Sequence, residues 1–286
     1  MGRLLRELAK QVLGEEEARR IWKRIEIIGD IAIIRRPFNY PIENLKLLGQ
    51  ELLKAIPNVK SVWLAISEVK TEFRIREYMH LAGEPRSETI YKEHGCIFKL
   101  DIRKVYVSPR LNYEHMRIAK LVKQGEVVVN MFAGIGLFSI IIAKYSRPRK
   151  VYSIDINPDA YNYMVENIKL NKVEGVVEPI LGDAAKVVAE RLVNVADRVL
   201  MPLPGLCYEY LEYAIMSLKN KSIGYIHVYD FIEAGKGEDP IAKVEEKFKI
   251  KLLSLDIDHD IVFKRIVRTV GPRKYQVVLD IKIQKN

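Results

Sequence analysis

Cysteine is nearly absent: Cys96 and Cys207 are the only two in 286 residues, and they lack metal-ligand spacing. That excludes a disulfide framework and gives no zinc site, leaving both as small core residues. Long apolar runs are missing as well, since no uninterrupted stretch approaches the ~20 residues needed to cross a bilayer. The N-terminal MGRLLRELAKQVLGEEEARRIW is a charged amphipathic helix without a signal-peptide core, so we expect a cytoplasmic protein with no membrane partner. Repeats and low-complexity linkers are lacking too. Acidic residues fall short of basic ones, 37 Asp and Glu against 47 Lys and Arg, and the net charge of +10 favours a polyanionic partner. About half of that excess lies between Phe98 and Gly125, where Lys99, Arg103, Lys104, Arg110, Arg117, Lys120 and Lys123 face only Asp101 and Glu114.

What is present centres on Val127 to Lys144, VVVNMFAGIGLFSIIIAK. A β-branched run, the turn Phe132-Ala133-Gly134-Ile135-Gly136 and an apolar helical stretch predict strand, glycine turn and helix in that order. The two glycines allow a tight turn and a close backbone approach to a ligand. A second strand, Val151 to Asp155, ends in an acid 19 residues after Gly136, where doubly wound folds place the carboxylate that grips a ribose diol. The competing role for Asp155 is a helix cap, because Asn157-Pro158-Asp159 starts another helix. The third glycine of a dinucleotide fingerprint is missing. Phe138 and Ser139 occupy positions where a pyrophosphate needs bare backbone, which disfavours NAD or FAD and favours S-adenosylmethionine.

Taken in order, residues 1 to 22 read as one helix, followed by a hairpin of residues 25–28 and 31–34 around Gly29-Asp30. A helix over 41–55 and a strand over 59–66 complete a small α/β domain, whose boundary the change of pattern puts near residue 96. The chain is long enough for two such domains, 1–96 and 97–286. Alternation over residues 71–77 puts Arg74 and Arg76 on one side of a strand, suited to a phosphate or base edge, or to pairing with Glu72 and Glu77. A hairpin is expected from Gly95 to Arg110, and a helix over 111–122 that carries Glu114 in its first turn, at the mouth of the cofactor site beside Tyr106 and Arg110. Strands over 177–181 and 198–201 then end in Gly182-Asp183-Ala184 and Pro202-Leu203-Pro204-Gly205. Strands at 223–228, from Asp258, and at 274–283 finish the chain. Val277 to Ile281 suits the reversed last strand of a seven-stranded methyltransferase sheet.

EFRIRE at 72–77, HLAGE at 80–84, KVYVSPRL at 104–111, NMFAGIGLFSI at 130–140, SIDINPDA at 153–160, NIKLNKV at 167–173 and IHVYDF at 226–231 resemble one family. It is the archaeal and eukaryotic type of tRNA (guanine-37-N1)-methyltransferase, with its wyosine-pathway relatives. The resemblance covers roughly residues 25 to 286. It implies a class I, Rossmann-like fold with a small N-terminal domain contacting tRNA, and S-adenosylmethionine held by Tyr106, Arg110, Phe132, Ala133, Gly134, Gly136, Asp155, Ile156, Asn157, Asp183 and Ala184. Glu114 matches the catalytic carboxylate, and Arg74 the arginine at the guanine carbonyl oxygen. Pro204 matches the proline of the catalytic turn, and Arg74, Arg76, Arg110 and Pro202 face the tRNA. The partner implied is the tRNA anticodon stem-loop, and a monomer without metal is expected. From its length the chain is expected to lack the further N-terminal domain that in this family often grips the tRNA elbow.

Two departures stand out. Asn130 replaces the usual Asp of the first motif, a near-isostere. Pro202 replaces the Asn of Asn-Leu-Pro, which removes the amide that would position plain guanine. The resemblance puts methylation of guanine nitrogen 1 first. Methylation of carbon 7 of 4-demethylwyosine comes second and suits Pro202, and a catalytically silent tRNA-binding module comes last.

Overall fold

The computed structural model describes residues 2–67 and 75–285. The chain divides into two compact units, residues 1–109 and 110–286.

In the first unit, α1 (Gly2–Leu13) and α2 (Glu15–Arg20) replace the single helix expected over residues 1–22. Gly14 separates them at φ +86°, a left-handed geometry that a helix cannot propagate. Strands β1 (Ile25–Ile28) and β2 (Ile31–Arg35), helix α3 (Ile42–Ala55), and strands β3 (Ser61–Ala65) and β4 (Tyr78–Gly83) follow. The strands pair in the order β1-β2-β3-β4. One face of this sheet, through Ala32, Ile34, Val62 and Leu64, packs on Leu5, Leu45, Leu48 and Leu52 of the helices. The hairpin expected from Gly95 lies earlier, as β5 (Glu88–Glu93) and β6 (Cys96–Asp101), with Gly95 at φ +68° in its turn. Residue 96 therefore opens a strand, and residues 102–108 are irregular.

The second unit begins with a single turn at Pro109–Leu111 running into α4 (Asn112–Leu121). Strands and helices then alternate: β7 (Val127–Asn130), α5 (Leu137–Ser146), β8 (Lys150–Asp155), α6 (Pro158–Leu170), β9 (Val177–Leu181), α7 (Ala184–Arg191), β10 (Arg198–Met201), α8 (Leu211–Ser217), β11 (Ser222–Glu233) and α9 (Pro240–Ser254). The hairpin β12 (Asp258–Gly271) and β13 (Lys274–Lys285) closes the chain. Among the described residues these form one seven-stranded sheet in the order β12-β13-β11-β10-β7-β8-β9. β13 runs antiparallel to β11, so the reversed last strand is present, whereas β7 to β11 are parallel. All four residues of β7 and of β10 are buried, as expected of central strands covered by helices on both faces.

This order reverses direction at β7, which has β8 on one side and β10 on the other. The carboxyl ends of β7 and β10 therefore flank a topological switch point, where the loops leave in opposite directions and open a crevice.

Candidate active site

The glycine turn sits at that crevice. Gly134 has φ +55° and Gly136 φ +92°, both left-handed and both suited to glycine. They differ in surroundings. A Cβ on Gly136 would meet Ile140 Cδ1 at 3.1 Å and Met164 Cγ at 3.2 Å, while one on Gly134 would meet no atom within 4 Å. Gly136 thus lets α5 pack, and Gly134 leaves open space in front of the turn.

Asp155 does more than the sequence foresaw. Its Oδ2 accepts the Gly134 N–H at 2.6 Å and its Oδ1 the Asn157 N–H at 3.0 Å, so the β8 acid fastens the glycine turn. Burial pushes its carboxyl above the usual range, opposed by those two backbone donors. The helix-cap role belongs instead to Asn157, whose side chain accepts from the Asp159 N–H at 3.0 Å with Pro158 in the first turn. Ala133 is buried, Ile156 is 38% exposed, and Phe132 packs edge-on to the Tyr210 ring with centroids 5.2 Å apart. Tyr210 donates its hydroxyl to Asp183 Oδ2 at 2.6 Å, and Asp183 Oδ1 caps α7 at Lys186 N–H, directly before Ala184. Phe132, Tyr210 and Asp183 form one connected wall from β7 to β9. Nothing in the sequence pattern around Tyr210 marked it for this.

The acceptor side is built at β10. Pro202 and Pro204 stiffen the turn, and Gly205 N–H reaches Asp230 Oδ1 at 3.0 Å, while Lys247 pairs with Asp230 Oδ2 at 2.6 Å. Cys207 is buried within hydrogen-bond reach of the Met201, Leu203 and Tyr229 carbonyl oxygens, which ties the turn back to β10 and β11. Asn130 is buried at the end of β7, where its amide donates to Ser139 Oγ at 3.1 Å, and Ser139 Oγ also accepts from Ser153 at 2.7 Å. Phe138, beside it, lies between His115 and Tyr229, with centroids at 4.4 and 5.9 Å.

Glu114 differs from the expectation of a carboxylate at an open mouth, because it is fully buried. Its Oε2 accepts from Arg117 Nε at 2.9 Å and from the Tyr229 hydroxyl at 2.8 Å. Its Oε1 has no hydrogen-bond partner among the described residues and lies 3.3 Å from Arg265 Nε, whose guanidinium also covers the Tyr113 ring at 4.4 Å. Burial first, and then the neighbouring Glu114 charge, hold Tyr229 neutral far above its usual range, so it remains a donor. Arg117 reaches on to Asp280 at 2.5 Å, Asp280 accepts from His227 Nδ1 at 2.6 Å, and Arg198 Nη1 meets His227 Nε2 at 2.7 Å. An arginine only donates, so His227 Nε2 accepts and Nδ1 carries the proton. Burial lowers the pKa of His227 despite Asp280, which agrees with a neutral ring. Burial alone would raise Asp280, yet bonds from His227 and Arg117 bring it down to about 2.

Among the other expected residues, Arg74 lies outside the described residues, Arg76 and Tyr106 belong to the first unit, and Arg110 opens the second. Among the described residues no group of His, Cys, Asp and Glu could hold a metal ion, and no helix is long and apolar enough to cross a membrane.

Comparison with known proteins adds what the geometry alone leaves open. Residues 89–254 match the TRM5/TYW2 methyltransferase domain, and residues 5–86 the TYW2 N-terminal domain. The chain is 46% identical to tRNA 4-demethylwyosine(37)-methyltransferase Taw21 of Saccharolobus solfataricus, over 97% of this chain and 99% of that protein. It is 42% identical to tRNA (guanine(37)-N(1))-methyltransferase Trm5b of Pyrococcus abyssi, over 90% of this chain and 74% of that one. The crystal structure of P. horikoshii TYW2 in complex with MeSAdo superposes with a TM-score of 0.78 at 29% identity, covering 100% of both chains.

Proposed function

Because the chain belongs to the TRM5/TYW2 methyltransferase family, we propose that it transfers the methyl group of S-adenosylmethionine to the purine at tRNA position 37. We place 4-demethylwyosine first as acceptor and guanine nitrogen 1 second, the reverse of the order given by the family resemblance. Pro202 carries that choice. It stands where the guanine-methylating motif has an amide donor, and a relative that matches this chain over nearly its whole length is named for 4-demethylwyosine. The guanine reading keeps its place because of the Trm5b similarity.

The residues at the crevice fit a bent nucleoside ligand. The open space at Gly134, the Asp155 carboxylate beside it and the Phe132–Tyr210–Asp183 wall offer a ribose acceptor, an apolar surface and an acceptor for an adenine amino group. S-adenosylmethionine supplies the methyl group on a sulfonium and leaves as a neutral thioether. In either reaction one bond forms between that methyl and the target atom, and the proton on the target atom must leave. Glu114 is the acceptor we assign to it, through Oε1, since Oε2 is already engaged by Arg117 and Tyr229. Arg265 must swing off Oε1 for this to happen, and its side chain is 31% exposed. By family resemblance Arg74 neutralises charge developing on the base oxygen. All these residues come from one chain, so a monomer suffices.

The deciding experiment is methyl transfer from labelled cofactor to two tRNAs, one with guanosine and one with 4-demethylwyosine at position 37. We expect product on the wyosine precursor. Product on guanosine alone would reverse the order, and none on either would leave a binding module.

A further inference from the structure

The face of the first unit's sheet that is turned away from its helices ends in a row of side chains absent from the motifs. The pairing registers Arg35↔Ala65 and Ala65↔Tyr78 put Arg35, Ala65 and Tyr78 side by side on β2, β3 and β4, and Arg24, directly before β1, precedes Ile25, which pairs with Ile34 next to Arg35. Cross-strand neighbours share a face. Ile25, Ile34 and Met79 pack with the helices, so this row points to the other side.

Like charge is gathered here. Arg35 is half-buried, and its pKa is lowered first by burial and then by the Arg76 charge, with Arg24 adding to it and Glu26 opposing. Tyr78 faces the same Arg76, Arg35 and Glu26, together with Tyr106. The Nε of Arg76 is buried without a hydrogen-bond partner among the described residues. A protein ordinarily satisfies such a donor, and among the described residues three guanidinium groups share the Glu26 carboxylate, an excess of positive charge that an anion would balance. Three residues beyond Arg35, Phe38 is 88% exposed, which no packing requirement explains.

We propose that Arg24, Arg35 and Arg76 form a binding site for a phosphodiester of single-stranded RNA, with Phe38 as the stacking surface for a neighbouring base. This rests on the reading of the chain as a tRNA-modifying enzyme and adds a site to it. Guanidinium groups match phosphate oxygens in pairs, and an aromatic face accepts any base, so the site holds a strand without reading its sequence. β3 ends and β4 begins at this row, and Arg74 lies in the connection between them.

The test uses the full chain and unmodified tRNA across a potassium chloride series. The double variant Arg24→Gln/Arg35→Gln should bind tRNA at least about tenfold more weakly near physiological salt, with its log–log salt slope smaller by about 1.4, or about 0.7 for each lost contact. Its cofactor affinity should stay within about twofold, and its melting temperature should not fall, because like charges are removed. Phe38→Ala should weaken binding about tenfold with the slope unchanged. Lys10→Gln/Arg19→Gln, which removes the same charge from exposed positions on α1 and α2, is the control. An unchanged slope in the double variant, or an equal loss in the control, overturns the site while leaving the enzyme reading intact. A wild-type chain without salt-dependent tRNA binding overturns both.

Discussion

A single carboxylate can be asked whether it is a base or a brace. Glu114 is held by two arginines and a tyrosine, so Glu114→Gln keeps the shape and an oxygen to accept from Tyr229 but loses the charge. If Glu114 takes the proton, single-turnover transfer should slow by about 10²-fold or more with cofactor affinity unchanged. A rate within a few-fold of wild type would make Glu114 a brace only. Asp155 gives the opposite pattern. Asp155→Ala removes both the expected ribose acceptor and the fastening of the Gly134 N–H, so the cofactor dissociation constant should rise tenfold or more, as calorimetry would read directly. An unaltered constant would sink the ribose role. The enclosure of Glu114 was not legible from sequence, because its partners lie on α4, β11 and β12.

Between elements, the turn from β7 to α5 separates packing from binding. Gly136→Ala meets Ile140 and Met164 in addition to its left-handed backbone, so it should cost roughly 1–3 kcal/mol of stability. Gly134→Ala has only the backbone cost of roughly 1–2 kcal/mol, yet it projects a methyl group into the open space. Its cofactor affinity should fall by more than its melting temperature suggests. Thermal melts with and without cofactor compare the two. The buried chain from Arg198 through His227 and Asp280 to Arg117 joins β10, β11, β13 and α4. The pKa of Asp280 is lowered in the fold, so its stabilisation is full above about pH 4, the ordinary carboxyl value, and is lost as pH falls towards 2. From that shift we expect wild type to lose about 1–2 kcal/mol more than Asp280→Asn between pH 5 and pH 2. Parallel urea titrations that show the same loss in both would remove this role.

The whole molecule carries a net charge of +10, and its exposed edge strand β12 is interrupted by three register shifts. Bulges of this kind discourage edge-to-edge strand pairing. RNA affinity should fall steeply with salt while cofactor affinity stays nearly flat, since phosphate contacts release counterions and S-adenosylmethionine carries no phosphate. Titrations of both ligands between 50 and 300 mM salt would check the contrast, and a salt-insensitive tRNA constant would contradict it.

Helices α7, α8 and α9 came only from the structure, whereas the sequence by itself determined the strands of the second unit, helices α4, α5 and α6, the glycine turn, the acid ending β8 and the reversed last strand. Those features are local: apolar period, glycine and proline chemistry and a fixed spacing are written in neighbouring residues. In the first unit Gly14 was read through, and a hairpin was put too late, because a left-handed glycine in a helical pattern and an equal run of alternation leave nearby alternatives. Only the tertiary structure decided which side chains meet across the sheets. The Asn130–Ser139–Ser153 cluster, the path from Arg198 to Glu114 and the Arg24–Arg35 row each join residues from separate strands or helices. Strand register and burial set those meetings, and neither has a short-range signature that a linear reading can find.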